Sequence, residues 1–326
     1  MSSEKTAHTT KNGRCVRGVS FALILAMLLA LCSWILYPRD NTRQSGIAHP
    51  EAMGFTSISP DRIDVVAIGN SNIYSGFSPM ELWGTYGYAA YVSGEPRQQM
   101  ASAVTLLEKY FETQKPKVVI LETDELYTGN NHLNSVALSK LEDSVPVIKY
   151  HNNWKTLRFS SLLRRPQHSY LSPMMGQSVS TVVRGYDGGD YMRPCGKKEA
   201  IPTAAHIYLD KFRTLCAQHN VPLVLVSVPC AKSWSAARHD AVAQYAEQYA
   251  LPYLDLNTVC GKMNFDWKQD TGDGGTHLNA SGARKVTLYL GDYLKAHYRL
   301  ADRRQENDWS LWQKNDLKYR RDYAAV

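Results

Sequence analysis

The stretch AIGNSNIYSGFSPMEL, residues 67–82, decides the fold class. It continues an apolar run that begins at Val65 and ends abruptly in the small polar residues Gly-Asn-Ser-Asn. A short, continuous apolar run is typical of a strand that is covered on both faces. The following Ser-Pro-Met-Glu, residues 78–81, predicts a helix start, with serine as N-cap, proline at the first position and glutamate at the third. The stretch therefore predicts a buried strand, a polar turn and a helix.

The same alternation of strand and helix runs through much of the chain. Apolar runs predict strands at 64–69, 89–93, 117–122, 222–228 and 252–256. Helical patterns lie between and after them, at 97–113, 203–219, 234–250 and 279–297. This order predicts an α/β domain whose parallel sheet carries helices on both faces. Residues 125–200 break the pattern and are predicted to be an insertion over one edge of the sheet.

An uncharged segment near the N-terminus, residues 18–37, is long enough to cross a membrane. A helix of this length spans a hydrocarbon core of about 30 Å. Four basic residues precede it, so the N-terminus is expected in the cytoplasm and the rest of the chain outside. A cleaved signal peptide is the alternative, but its apolar core is usually shorter and is followed by small residues, whereas bulky residues occupy 34–37 here.

This segment and the strand pattern together predict the domain organisation. We expect a cytoplasmic tail at 1–17, a transmembrane helix at 18–37 and a linker at 38–60. A hydrolase-like α/β domain at 61–298 follows, and a charged helix at 299–326 ends the chain. The protein is therefore expected in the cell membrane, held by its own single anchor.

The charge distribution argues against a nucleic-acid partner. The 326 residues carry a net charge of +7, but most of the excess lies near the two ends and the body is close to neutral. Nucleic-acid binders usually concentrate basic residues on the folded surface.

No HExxH-like spacing or phosphate loop occurs, so neither a metal nor a cofactor is expected. Four cysteines lie beyond the apolar segment: Cys195, Cys216, Cys230 and Cys260. They allow three disulfide pairings, and buried free thiols are the alternative.

The chemistry is expected at the carboxyl ends of the strands, where open parallel sheets form their sites. Ser71 follows the first strand, but a serine is a weak nucleophile without a base. His277, in the loop DGGTHLN at 273–279, is the candidate base, and either Asp273 or Asp270 is the candidate for orienting its ring. The backbone N–H groups of Ser71 and of Gly94, at the end of the second strand, are candidate donors of an oxyanion hole.

These residues resemble the SGNH/GDSL hydrolase superfamily over roughly 61–298. The resemblance rests on Gly-Asn-Ser-Asn at 69–72, on Gly94 and on the terminal Asp…His-Leu-Asn at 273–279, and the stretches 77–83, 151–154 and 265–279 add to it. The branch most similar in pattern is the membrane-anchored, extracytoplasmic one, which includes the D-alanyl-lipoteichoic-acid biosynthesis protein and polysaccharide O-acetyl esterases and transferases. The resemblance implies a flavodoxin-like three-layer α/β/α fold and a Ser–His–Asp site that acts on acyl esters.

The sequence departs from the superfamily pattern at three places. Asn70 replaces the aspartate that usually precedes the serine. The block Gly-x-Asn-Asp is missing, and Glu-Thr-Asp-Glu at 122–125 follows the third strand instead, so the side chain of Asn72 is a substitute candidate for the oxyanion donor. The usual acid lies three residues before the histidine, where this chain has Gly274, and Asp273 lies four before.

The resemblance and the anchor together predict a membrane-anchored, extracytoplasmic serine esterase or acyltransferase. Expected partners are an acetylated or alanylated envelope polysaccharide or teichoic-acid-like polymer, and a membrane-bound O-acyltransferase. His151 and Trp154 are candidate substrate-binding residues. The alternative is a non-catalytic binding partner of the same fold, which the missing block favours. A hydrolase of lipid or phosphodiester bonds is less favoured, because the chain shows neither a basic cleft nor a metal motif.

Overall fold

The computed structural model describes residues 3–128, 137–138, 141–142, 144–155, 157–162, 165–194, 196 and 199–323. The strands are β1 (Val65–Gly69), β2 (Ala90–Gly94), β3 (Val118–Glu122), β4 (Leu223–Ser227) and β5 (Tyr253–Asp255). The α-helices are α1 (Ser3–Leu36), α2 (Pro50–Met53), α3 (Ser71–Gly76), α4 (Pro79–Tyr86), α5 (Met100–Thr113), α6 (Pro146–Tyr150), α7 (Phe159–Leu162), α8 (Thr203–Gln218), α9 (Ala236–Gln248), α10 (Ala280–His297) and α11 (Ser310–Tyr323). Short 3-10 helices lie at Arg43–Ser45, Gly54–Ser57, Thr123–Tyr127, His151–Lys155, Leu256–Met263 and Asn307–Trp309.

The chain divides into two compact units. The first comprises Met1–Ala48 and Ala137–Gln167, and the second comprises His49–Val136 and His168–Val326. The second unit holds the whole sheet. Each unit is described separately below.

All five strands of the sheet are parallel, in the order β2-β1-β3-β4-β5. This is the flavodoxin-like order, in which the chain switches direction between β1 and β3 and ligands bind outside the carboxyl ends of the strands at that point. In register, the last residues of β1 and β2, Gly69 and Gly94, lie side by side. The polar turn after β1 therefore lies at the switch point.

Apolar residues of the strands are buried on both faces of the sheet. On one face, Val66 and Ile68 belong to a core that includes residues of α5, α8 and α9. On the other face, Val65 and Ala67 belong to a core that includes residues of α3, α4 and α10. The predicted three-layer α/β/α class is therefore confirmed, and β1 is fully buried because helices cover both of its faces.

The predicted strands, and the helices predicted between and after them, agree with the observed ones to within three residues. Among these the largest difference is at α5, which was expected from residue 97 and begins at Met100. The charged C-terminal helix, expected over 299–326, differs more, because α11 begins at Ser310. Arg97 has a positive φ of 55°, and the Gln98 side chain accepts a hydrogen bond from the Glu95 N–H at 3.1 Å. Residues 95–98 therefore form a non-helical turn before α5. Pro79 does begin α4, with the Ser78 hydroxyl as its N-cap.

The first unit is built on α1. Its segment Val16–Leu36 is long and apolar enough to cross a membrane, with mean hydropathy 2.6, and its side chains are largely exposed; a signal sequence would meet the same criterion. Near its end, the Ser33 hydroxyl accepts a hydrogen bond from the Val147 N–H at 3.1 Å. The Asn153 amide donates to the Leu36 carbonyl at 3.1 Å. These contacts join α1 to the part of the insertion that contains α6.

The second unit begins inside the expected linker. Helix α2 and the 3-10 helix at Gly54–Ser57 lie there, and the Phe55 ring is buried and stacks on Tyr110 at 3.7 Å. At the other end of the unit, α11 buries Trp312, which lies 6.2 Å from Trp83 of α4. Among the described residues, Cys216, Cys230 and Cys260 form no disulfide, and Cys195 lies outside those residues.

Candidate active site

The turn after β1 places Ser71 at the first position of α3. Asn70 is the N-cap, and its side-chain oxygen accepts a hydrogen bond from the Asn72 N–H at 2.8 Å. The strand ends in glycine because the neighbouring strand is close: a Cβ on Gly69 would lie 2.6 Å from the Cβ of Glu122. The turn therefore brings the nucleophile candidate to the carboxyl edge of the sheet.

The replacement of the usual aspartate by Asn70 has a physical explanation in this turn. The Asn70 amide donates to Asp124 Oδ2 at 2.9 Å and to Thr128 Oγ1 at 2.8 Å. A carboxylate at position 70 has no N–H to donate and would face the Asp124 carboxylate. Asp124 is buried and lies 3.6 Å from Arg238 Nη1. Asn70 and Asp124 are both departures from the superfamily pattern, and they suit each other because the amide of one donates to the carboxyl group of the other.

The loop that carries His277 is a tight turn between two paired backbone segments. Thr271 and Leu278 form an antiparallel bridge, and the Gly272 N–H donates to the His277 carbonyl at 2.9 Å. Gly274 and Gly275 have φ values of +80° and +104°, a region that other residues rarely adopt. These two glycines reverse the direction of the chain. Asp273 therefore reaches the histidine, although it lies four residues before it and not the usual three.

Ser71, His277 and Asp273 form one hydrogen-bonded chain. His277 Nε2 lies 2.8 Å from Ser71 Oγ, and His277 Nδ1 lies 2.6 Å from Asp273 Oδ2. The other oxygen of Asp273 accepts the N–H groups of His277 at 2.8 Å and of Thr276 at 3.0 Å. Both oxygens of the acid are thus used to fix the position of the imidazole.

The charge of Asp273 follows from these bonds. Partial burial acts to raise its pKa, but the hydrogen bonds from the backbone and ring of His277 and from Thr276 outweigh burial and lower the pKa below its ordinary value. The carboxylate is therefore ionised at neutral pH and can stabilise a protonated imidazole. The side chains of His277 and Asp273 are 36% and 39% exposed, so the site is open to solvent.

Asp270, the alternative acid, has other partners. It is fully buried, and its Oδ2 lies 2.7 Å from Lys285 Nζ and accepts the Asp266 N–H at 2.6 Å. Its Oδ1 accepts the Ser281 hydroxyl at 2.7 Å. The structure thus brings Asp273 to His277 and uses Asp270 to hold the base of the loop.

The residues predicted for the oxyanion hole lie at the same edge of the sheet. A Cβ on Gly94 would lie 2.7 Å from the Gly69 carbonyl oxygen and 3.0 Å from the ring of Tyr74, so only glycine fits beside the turn. Asn72 is 2% exposed, and its amide nitrogen has no hydrogen-bond partner among the described residues. A buried donor without a partner is uncommon in folded proteins.

The two candidate substrate-binding residues lie in the first unit, whereas the triad lies in the second. His151 and Trp154 belong to the 3-10 helix His151–Lys155. The His151 ring pairs with the Ile148 carbonyl at 2.8 Å, and Trp154 is 65% exposed. Their role stays a prediction.

Part of the insertion lies at the β2 edge of the sheet, as predicted, and runs along the site, which the sequence patterns did not indicate. This edge segment, residues 172–186, bonds to β2, to α3 and to the histidine loop in turn. The bonds are Val92 N–H to Met175 O at 2.9 Å, Ser178 N–H to Tyr74 O at 2.8 Å, Ala280 N–H to Ser180 O at 2.7 Å and Arg184 N–H to Thr271 O at 2.9 Å. It therefore connects the element that carries Ser71 to the loop that carries His277.

Buried carboxyl groups lie behind the nucleophile turn, after β3. Burial raises the pKa of Glu122 well above its ordinary value, and the charge of Asp124 adds to the effect. Burial also raises the pKa of Glu125 to about 8, although the hydrogen bond from the Gln98 amide acts in the opposite direction. Glu125 therefore keeps its proton at neutral pH.

The protonation of Glu125 makes stability depend on pH. Between the ordinary value of 4.5 and about 8, the unfolded chain is ionised while the folded chain keeps the proton, so the free energy of unfolding falls as pH rises through this window. Glu125→Gln removes this dependence and should stabilise the protein relative to the parent at pH 9, by about 2 kcal/mol or more. Urea unfolding at pH 5, 7 and 9 measures the difference, and parallel pH curves for the two proteins would contradict the expectation.

No protein-family model and no curated protein matches the chain. Among solved structures, it is similar to a candidate platelet activating factor from Streptococcus pneumonia, with 14% identity, coverage of 84% of this chain and 99% of that chain, and a TM-score of 0.40. A candidate acylhydrolase from Bacteroides fragilis has 11% identity, coverage of 76% and 95%, and a TM-score of 0.39. A GDSL-like lipase from Bacteroides thetaiotaomicron has 11% identity, coverage of 71% and 87%, and a TM-score of 0.36. These names include the GDSL group that the sequence motifs resemble.

Proposed function

We propose that this chain is a serine esterase or acyltransferase with Ser71 as its nucleophile. The observation that carries the proposal is the hydrogen-bonded chain from Ser71 Oγ through both nitrogens of His277 to the Asp273 carboxylate. A serine, a base within hydrogen-bond reach and a third group that orients the base are the parts that nucleophilic catalysis requires.

The proposed reaction has two acyl-transfer steps. His277 Nε2 takes the proton of Ser71 Oγ as that oxygen bonds to the acyl carbonyl carbon. The protonated imidazole then gives the proton to the leaving alkoxide, and the acyl group remains on Ser71 as an ester. Water or a glycan hydroxyl attacks this ester while His277 removes its proton, and the proton returns to Ser71 Oγ. Asp273 holds the ring and stabilises its cationic form throughout.

The oxyanion of each tetrahedral intermediate needs donors that are already in place. We assign this role to the backbone N–H groups of Ser71 and Gly94 and to the amide of Asn72. The buried Asn72 nitrogen without a partner among the described residues supports the assignment.

The openness of the site and the apolar segment of α1 support a substrate class and a location. The triad is more than one third exposed at His277 and Asp273, which suits an ester on a bulky polymer. The apolar segment Val16–Leu36 supports a membrane anchor with the site outside the cytoplasm. We therefore propose acetyl or alanyl esters of an envelope polysaccharide or teichoic-acid-like polymer as substrates, and a membrane-bound O-acyltransferase as a partner.

A fluorophosphonate probe tests the proposal directly. An activated serine attacks the phosphorus, displaces fluoride and keeps the phosphonyl group, which intact mass spectrometry detects. We expect one adduct on the full chain in detergent micelles and none on Ser71→Ala or His277→Ala. Ser281→Ala is the matched control, because that hydroxyl bonds to Asp270 and is not part of the triad. Absence of an adduct on the folded parent would contradict the proposal and favour a non-catalytic binding role.

A further inference from the structure

The end of α1 is joined to a second part of the first unit. This boundary segment, residues 144–155, contains α6 and the 3-10 helix that follows it. The Val147 N–H donates to the Ser33 hydroxyl at 3.1 Å, and the Asn153 amide donates to the Leu36 carbonyl at 3.1 Å. Both acceptors belong to the last turn of α1, so the boundary segment is held at that end of the helix.

These bonds fix the depth of the boundary segment in the proposed anchored state. The apolar segment Val16–Leu36 has 21 residues, and at ~1.5 Å per residue it is about 32 Å long. Such a helix just spans a hydrocarbon core of about 30 Å, so Leu36 lies where the hydrocarbon meets the headgroups. Ser33 lies only about 5 Å deeper along the helix axis. Because the boundary segment bonds to both residues, it lies at the membrane surface.

The exposure of the tryptophans points to the same end of α1. All seven lie in the described part of the chain, and only two of them are more than half exposed. Trp34, in the last turn of α1, is 53% exposed, and Trp154, in the boundary segment, is 65% exposed. The other five belong to the second unit and are buried or partly buried: Trp83, Trp234, Trp267, Trp309 and Trp312. Tryptophan is enriched at membrane surfaces because its ring is apolar and its N–H is polar, so the two exposed rings lie where the residue type is favoured.

Other side chains of the first unit also suit a lipid surface. The Lys155 ammonium lies 5.9 Å from the centre of the Trp154 ring. Residues 137–167 contain six Lys or Arg and two Asp or Glu, an excess that favours anionic headgroups. Outside α1, three leucines of this unit are exposed: Leu138, Leu141 and Leu157. Exposed apolar side chains beside basic ones are typical of segments that lie in a membrane interface.

We propose that the boundary segment binds the lipid surface beside α1, with the Trp154 ring inserted at the level of the headgroups. The occupant of this surface is the phospholipid bilayer itself. The bonds to Ser33 and Leu36 bring the segment to the bilayer, and transfer of the exposed ring out of water is then favourable. A second lipid contact also limits the tilt and rotation of α1. The inference rests on the membrane anchor of the proposed function and not on its ester chemistry.

Photo-crosslinking of the full chain tests the proposal. Benzoylphenylalanine, which adds to a nearby C–H bond on illumination, replaces Trp154 in the chain reconstituted into nanodiscs of phosphatidylethanolamine and phosphatidylglycerol. We expect a lipid adduct, detected by intact mass spectrometry. Position 25 is the positive control, because Leu25 lies within the apolar segment of α1. Position 317 gives the background, because Leu317 is an exposed apolar residue of the second unit.

The three positions separate the outcomes. A lipid adduct at position 154 in several-fold higher yield than at position 317 is the expected result. An adduct at position 25 with only background yield at position 154 would overturn the proposal and leave Trp154 as a candidate for substrate binding. No adduct at position 25 would show that α1 is not in the bilayer, so the anchor and this inference would fail together. The readout does not use ester turnover, so a failure of the esterase proposal is seen separately.

A second measurement uses the native side chain. Phospholipids that are brominated on their acyl chains quench nearby indole fluorescence, and the quenched emission is compared between the parent and Trp154→Phe in the same nanodiscs. We expect Trp154→Phe to lose part of the quenchable emission. Trp267→Phe is the matched control, because it removes a partly buried tryptophan of the second unit and should keep the quenchable emission of the parent. Quenchable emission that is unchanged in Trp154→Phe would contradict the proposal.

Discussion

Replacing Ser71 by alanine should lower kcat on acyl esters by about 10⁴- to 10⁶-fold, the largest effect that we expect from any single substitution in this chain. The alanine variant cannot form the acyl-enzyme, so the remaining rate comes only from oxyanion donors and binding. Steady-state rates on p-nitrophenyl acetate measure the effect, with the thermal unfolding temperature recorded for each variant. The fold should persist, because the backbone of the turn is held by Asn70 and not by the Ser71 side chain.

Ser281→Ala and His277→Ala complete this test. Ser281→Ala should keep the activity of the parent, because its hydroxyl bonds to Asp270 outside the triad. His277→Ala should lose about as much activity as Ser71→Ala, because the two residues act as one unit and their losses are not additive. Retained turnover in Ser71→Ala would show that the ester chemistry does not pass through this serine.

Asp273→Asn should lower kcat by about 10³- to 10⁴-fold without a comparable loss of stability. An amide oxygen can still accept the N–H groups of His277 and Thr276, so the turn is kept. The amide nitrogen, however, can donate to His277 Nδ1, which then holds the proton of the ring on the side that faces Ser71. That tautomer cannot take the serine proton. The measurement is kcat beside the free energy of unfolding.

Asp270→Asn is the paired variant and should show the opposite profile. Asp270 is buried and bonds to Lys285 Nζ at 2.7 Å, so loss of its charge leaves a poorly paired ammonium group. Because Lys285 is 30% exposed, water reduces the cost, which we expect to be about 1–3 kcal/mol in stability. The kcat of the folded fraction should change little. A larger loss of kcat in Asp270→Asn than in Asp273→Asn would reverse the assignment of the acid.

Much of the fold was predictable from local pattern. Strands that are covered on both faces are apolar at nearly every position, so β1, β3 and β4 are visible as nearly continuous apolar runs. The Ser-Pro-Met-Glu start of α4 is readable for a similar reason, since N-caps and first-turn residues are chosen by local hydrogen bonding. The boundary of α5 was less accurate because a side-chain bond of Gln98 competes with the helix there.

Two features of the candidate site were not predictable. Asp273 and Asp270 both lie within seven residues of His277. The choice between them depends on the positive φ values at Gly274 and Gly275 and on the ion pair of the buried Asp270 with Lys285. The course of residues 172–186 along the site is the second feature, because it is fixed by backbone bonds to β2, to α3 and to the histidine loop, which are far from it in the chain.

The sequence by itself determined the class of fold and the residue types of a Ser–His–Asp site, because both depend on patterns that are local to a strand, a turn or a loop. The tertiary structure alone decided which aspartate meets the histidine, why Asn70 suits Asp124, and that residues 172–186 run along the site. Those outcomes depend on contacts between residues that are far apart in the chain, and such contacts exist only after parallel strands bring their carboxyl ends to one edge.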